Sequence, residues 1–188
     1  MKLYRMAAVS IAMGILVALT AATSAESAPR PQAAACATNW GTQTKAGGLL
    51  HTPALLDTRA GQHTCYDRIV FEYAGLATGY RIGYASGVSA EGSGLPLGPY
   101  TAGGALMSVS LHNPAYDSAG HTTYNHLVGD HVVNVLNFNA LRDIVYGGSF
   151  EGYTQFAVGV RARLPFRVSK VAGPGAHTRI VVDIAHTS

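Results

Sequence analysis

From Asp67 onward, apolar and polar side chains alternate with a period of two. Ile69, Phe71 and Tyr73 share one parity, with Arg68 and Glu72 on the other. Tyr80, Ile82 and Tyr84 alternate with Arg81, Gly83 and Ala85, and Met107, Val109 and Leu111 alternate with Ser108 and Ser110. Phe156, Val158 and Val160 repeat the pattern, Phe166 and Val168 continue it, and Ile180, Val182 and Ile184 close the chain against Arg179, Val181 and Asp183. This is the period of a strand with one face buried and one solvated. Val132 to Phe138 and Leu141 to Tyr146 are further strand candidates, with a turn at 137–140. Glu91-Gly92-Ser93-Gly94, Gly103-Gly104 and Gly173-Pro174-Gly175 supply turns, and residues 112–130 read as a long loop. No convincing amphipathic helix interrupts the strands. The pattern predicts an all-β fold, an antiparallel β-sandwich of about eight short strands, with a flattened barrel as the alternative.

The chain ahead of Asp67 reads differently. Residues 36–64 hold Trp40, Gly41, Gly47, Gly48 and Pro53 with no sustained period, and predict irregular structure. Residues 26–35 are rich in Ala, Pro and Ser, as in a flexible tether. At the start, Lys2 and Arg5 precede an apolar run from Ala7 to Ala22, and Thr23-Ser24-Ala25 follows it. That order is the signature of a secretory signal peptide cleaved after Ala25. The alternative is a membrane anchor, but a run of about 16 residues falls short of the roughly 20 that span a bilayer. Ala33-Ala34-Ala35-Cys36 resembles a lipobox only faintly and lies past the apolar run. The expected organisation is a signal peptide over 1–25, a tether over 26–35 and a single domain over 36–188. No stable membrane span is expected after cleavage, and the mature protein is expected outside the cell.

Cleavage changes the charge. The full chain carries 13 basic and 10 acidic side chains, a net +3. Loss of Lys2 and Arg5 leaves 11 against 10, a net +1. Nucleic acid, which needs a dense basic face, is therefore not an expected partner. Cys36 and Cys65, an even pair in an oxidising compartment, are expected to form a disulfide, with two buried free thiols as the alternative. Such a bridge stabilises by roughly 3.5 kcal/mol in the chain-entropy model.

Catalytic patterns are sparse. No Ser lies in Gly-x-Ser-x-Gly, and neither a phosphate loop nor a dinucleotide glycine pattern is present. His121, His126 and His131 recur every five residues, a spacing that flips strand parity each time, so no metal site and no cofactor are expected. Glu72, Glu91 and Glu151 are far apart in sequence. The most informative cluster is Arg161-Ala162-Arg163-Leu164-Pro165-Phe166-Arg167. Parity places Arg161, Arg163 and Arg167 together on the face opposite Phe156, Val158, Val160 and Phe166, as a basic stripe bent at Pro165. Guanidinium groups grip carboxylates and phosphates in pairs, which makes these three the candidate ligand-binding residues. The alternative is pairing with Asp183, Glu151 or Glu72 on neighbouring strands. Tyr80 and Tyr84 are secondary candidates for stacking on sugars, although their parity also suits the core.

Several of these stretches occur in a familiar order. Gly61-Gln62-His63-Thr64-Cys65-Tyr66-Asp67-Arg68-Ile69-Val70 is followed by Gly79-Tyr80-Arg81-Ile82 and by Gly147-Gly148-Ser149-Phe150-Glu151-Gly152. Gly159 to Val168 and Arg179-Ile180-Val181-Val182-Asp183 complete the series. Together they resemble the AMIN-like domain of actinobacterial secreted proteins and lipoproteins. The resemblance implies a β-sandwich related to modules that localise envelope proteins and bind peptidoglycan. It implies no catalytic residues. The expected function is a non-enzymatic module that binds peptidoglycan or another anionic wall component. The alternatives are an envelope protein-interaction module, using a sheet edge or the 112–130 loop, and a small metal-dependent wall hydrolase. Amino-terminal sequencing of the exported protein is expected to begin at Glu26; a retained Met1 overturns the signal-peptide reading.

Overall fold

The computed structural model describes residue 36 and residues 38–187. The expected signal peptide and the expected tether, residues 1–35, lie outside the described residues. Among the described residues nine strands are present: β1 (Lys45–Gly47), β2 (Leu55–Gln62), β3 (Tyr66–Tyr73), β4 (Tyr80–Tyr84), β5 (Ala105–Leu111), β6 (Leu141–Phe150), β7 (Tyr153–Val160), β8 (Phe166–Ala172) and β9 (Thr178–Ala185). They form two antiparallel sheets, one in the order β1-β4-β5-β7-β6 and the other β2-β3-β9-β8. We call these the five-stranded and four-stranded sheets.

The parity read from the sequence decides which faces meet. Ile69, Phe71, Tyr73, Ile180, Val182 and Ile184 point inward from the four-stranded sheet. Ile82, Met107, Val109, Leu111, Phe156, Val158 and Val160 answer from the five-stranded sheet, and all belong to one buried cluster. The Phe71 and Phe156 rings meet across the layers at 5.0 Å between centroids. The expected β-sandwich is therefore the observed fold.

Two details differ from expectation. Strands β1 and β2 arise within the 36–64 segment that read as irregular. In β2 the inward residues after Leu55 are Thr58 and Ala60, and a register shift between Leu55 and Asp57 breaks the parity. A small or polar inward residue and a bulge together erase the alternation. Conversely, Val132 to Phe138 is not a strand. It touches β6 through the His131–Val145 bridge and the Val132 amide, then turns where the Phe138 amide donates to the Val135 carbonyl. Val132, Val133, Val135 and Phe138 pack onto the core without a ladder, whereas Leu136 is exposed. The long 112–130 loop is ordered by Asp117, whose Oδ1 accepts the amides of Ala119 and His121.

Polar locks close the sandwich. Asp67, fully buried at the start of β3, accepts the Ala140 and Leu141 amides and a hydrogen bond from His186 Nε2 at 2.8 Å. Cys36 and Cys65 form the expected disulfide. It ties the segment that carries Trp40 to the start of β3. That segment runs from a bond between the Phe166 amide and the Gly41 carbonyl, at 3.0 Å, into β1 at the edge of the five-stranded sheet. Lys45 Nζ lies 4.1 Å from the Phe166 ring centre, and its burial lowers the ammonium pKa.

The outward face of the four-stranded sheet is a lattice of charges. Glu72 accepts from His177 Nδ1 at 2.8 Å, from Arg59 at 2.6 Å and from Arg179 at 2.9 Å. Hydrogen bonds from His177 and then Arg59 outweigh its desolvation and hold its carboxyl at about 2. The folded pKa lies below the ordinary value of 4.5, so ionised Glu72 contributes stability above that value. The contribution disappears as pH falls from about 4.5 towards 2, and is on the order of 2–3 kcal/mol. Thermal unfolding against pH is expected to show this acid loss in the wild type and a shallower one in Glu72→Gln; parallel curves overturn the assignment.

Candidate functional site

The candidate site begins with the outward residues of β4 and β5. Arg81 and Gly83 on β4, and Ala85 just past it, lie away from the core beside Leu106 and Ser108 of β5. The segment between these strands does not leave the sheet. Val88, Ala90 and Leu97 fold back onto Val145 and Ala157 and make a second, small core on the outer face of the five-stranded sheet. A single 3-10 turn, Gly98–Tyr100, ends this cover.

Where the cover stops, an open hollow of about 560 Å³ remains, bounded by Ser86, Gly98, Thr101, Gly104, Leu106 and Arg163. A second, of about 200 Å³, adjoins it and shares Tyr84 and Ala85 as lining. Thr44, Arg81, Gly83 and Ser108 complete the second hollow. Together they form a shallow groove with a guanidinium toward each end. Its floor is kept low by glycine: a Cβ on Gly83 would come within 2.4 Å of Thr44 Oγ1. Gly159, nearby on β7, could carry no side chain either, because a Cβ would fall 1.6 Å from the Ala102 carbonyl oxygen.

Tyr84 is the rigid element of this groove. Its hydroxyl donates to the Leu164 carbonyl at 2.8 Å and accepts the Leu164 amide at 2.9 Å. Burial pushes its phenol up to about 12, against the opposing effects of the Leu164 hydrogen bond and the Arg163 charge. The Arg163 guanidinium lies over the Tyr84 ring, 5.0 Å from its centre. Among the described residues, neither Arg163 nor Arg81 meets a carboxylate. A cation with no internal counter-charge is free to take an external one.

The structure separates the three arginines singled out from the sequence. The expected strand through Pro165 does not exist: residues 161–163 form a bend between β7 and β8, which belong to different sheets. The parity argument for a single stripe therefore fails. Arg161 donates to the carbonyls of Asn139 and His186, at 3.0 and 2.7 Å, and pins two chain segments. Arg163 faces the groove. Arg167 pairs with Asp183 at 2.9 Å on the four-stranded sheet, one of the pairings weighed from the sequence. Glu72 instead takes Arg59 and Arg179, and Glu151 occupies the hairpin turn between β6 and β7. Arg81, absent from the candidates, alternates with core residues like any solvated strand residue. Only the hollow beside it, which a sequence does not display, sets it apart.

Tyr80 and Tyr84 pack against the core, as their parity allowed. The three histidines do not converge. His121 lies by Asp117 at 3.3 Å, His126 by Asp130 at 3.7 Å and His131 by Asp143 at 2.7 Å. Among the described residues no group of three or more His, Cys, Asp or Glu side chains is placed to hold a metal ion. His131 and Asp143 border a further hollow of about 430 Å³ with Val133, Leu136 and Arg142. No serine, threonine or cysteine lines it, so the pair has no side-chain nucleophile to activate.

A family model described as AMIN-like domain matches residues 53–186, from just ahead of β2 to the end of β9. Comparison with curated proteins gives no match. Among the described residues no helix is long and apolar enough to cross a membrane.

Tyr84→Phe is expected to leave the Leu164 carbonyl without its hydroxyl donor, while the Leu164 amide keeps the Ala162 carbonyl, and to cost about 1 kcal/mol. A lower urea midpoint at unchanged slope is the measurement; an unshifted midpoint overturns the role given to the hydroxyl.

Proposed function

Because the chain belongs to the AMIN-like domain family, whose members point to cell-wall targeting, we propose that it is an exported, non-enzymatic module that binds an anionic wall polymer, foremost peptidoglycan. The observation that carries this reading is the groove with Arg81 and Arg163 toward its ends, both without a carboxylate partner among the described residues. The groove is open and shallow, bordered by glycine backbone and by the hydroxyls of Thr44, Ser86, Thr101 and Ser108. Such a surface suits an extended polymer that presents carboxylates and hydroxyls at intervals. Hydroxyl and backbone groups hydrogen-bond sugars or peptide, and the two guanidiniums take the anionic groups in paired bonds. No cofactor enters the reading.

An envelope protein as partner is the second reading, and it rests on another surface. At the tip of the β6–β7 hairpin, Phe150 and Tyr153 are 51% and 37% exposed beside the half-exposed Leu50. In-cell cross-linking to a single protein, with no wall affinity, favours that reading.

The direct test is retention on insoluble cell wall. Wild type is expected to be retained and to elute as salt rises, because open ion pairs are screened. Arg81→Ala/Arg163→Ala is expected to bind at least about tenfold more weakly, the equivalent of one lost charge-assisted bond. No retention of the wild type, or equal retention of the double variant, overturns the proposal.

A further inference from the structure

We infer a second binding site on the opposite face of the molecule, built for a sugar that carries a carboxylate. It stands on its own geometry and does not depend on the groove. Its centre is Asp183 on β9, whose side chain is 1% exposed. Arg68 grips this carboxylate from β3 through Nε at 2.7 Å and Nη2 at 3.0 Å. Arg167 donates to it from β8 through Nε at 2.9 Å. One buried anion thus orients two guanidiniums and neutralises the charge of only one.

The surplus charge is presented outward. Arg167 spends its Nε on Asp183, and both its terminal amino groups are unpartnered among the described residues. Its side chain is 46% exposed. Those two amino groups, held in plane by the Asp183 bond, are positioned to form parallel bonds with a second carboxylate.

Aromatic rings surround this fork. The Arg167 guanidinium carbon lies 4.4 Å from the Trp40 ring centre and 5.6 Å from that of Tyr66. Trp40 meets Tyr66 edge-on at 5.8 Å, and the exposed His63 ring stacks on Tyr66 at 4.4 Å. The half-exposed Trp40 and Tyr66 with His63 offer apolar surface to the C–H face of a sugar ring. A bare phosphate would use the cation and leave these rings idle; a neutral sugar would use the rings and leave the cation idle. A carboxylated sugar uses both. The Cys36–Cys65 bridge and the bond between the Phe166 amide and the Gly41 carbonyl hold the rings in place before any ligand arrives.

Trp40 is the single tryptophan of the chain, so fluorescence excited selectively at tryptophan reads this site. The disulfide-intact protein is titrated with a glucuronate-containing tetrasaccharide, with an uncharged N-acetylglucosamine tetramer and with glycerol phosphate. The acidic sugar is expected to give a saturable change, with the other two at least about tenfold weaker. Arg167→Gln is expected to weaken the acidic sugar by a similar factor, and Arg81→Ala/Arg163→Ala to leave the titration unchanged. His63→Ala, which removes no partner of Asp183, is expected to weaken binding severalfold at an unchanged melting temperature. It keeps the test open if Arg167→Gln unfolds. No saturable change, an equal response to the neutral sugar or to glycerol phosphate, or wild-type titrations in both Arg167→Gln and His63→Ala overturn the inference. Loss of wall retention in the groove variant leaves this fluorescence result standing, so the two proposals fail separately.

Discussion

The sandwich depends on the buried carboxylate of Asp67. Apolar side chains hold the two layers together without direction, whereas this group sets how their ends meet. It sits on β3 in one sheet and accepts two amides at the start of β6 in the other. It also accepts a hydrogen bond from His186, just past β9. A buried carboxylate with three donors is fully served, and losing any of them would leave charge exposed to an apolar interior. The position of Arg161 follows from this lock. Its guanidinium reaches the carbonyls of Asn139 and His186, one beside each chain segment that Asp67 fixes. The residue reinforces a joint, which accounts for its engagement away from the groove.

The strands with large inward residues were legible in the sequence, since Ile69-x-Phe71-x-Tyr73 and Ile180-x-Val182-x-Ile184 leave little choice of face. Strand β2 was not, because its inward positions are filled by Thr58 and Ala60 and its register slips by a residue. The apolar Val132–Phe138 segment failed in the opposite way. Its valines reach the core from a turn, and hydrophobicity alone does not distinguish a ladder from a lid. The candidate arginines were legible as cations but not in their placement: Arg163 lies in the groove, whereas Arg161 and Arg167 are engaged elsewhere. Parity, however, carries information only within one strand. It was carried across a bend into another sheet, and there it joined residues that the fold keeps apart.

Charge distribution gives the two outer faces different characters. On the four-stranded sheet, Arg59, Arg68, Arg167 and Arg179 surround Glu72 and Asp183, so most cations are already committed. On the five-stranded sheet the outer face is partly sealed by its own small apolar core, and Arg163 and Arg81, which line the two hollows left open, meet no carboxylate among the described residues. The net charge of the chain describes neither face. Local pairing does, and it follows from which strands become neighbours.

Trp40 and Thr44 belong to one short stretch that crosses the side of the sandwich. The first packs on the outer face of the four-stranded sheet and the second lines the groove of the five-stranded sheet. The stretch is bent, with Gly41 at a positive φ of 66° and a bend at Thr42 and Gln43. It acts as a shaped corner, and the left-handed turn at Gly41, which glycine adopts at little cost, directs Trp40 to one face and Thr44 to the other. A one-residue insertion or deletion within it would unseat one face or the other while leaving every strand of the matched domain intact.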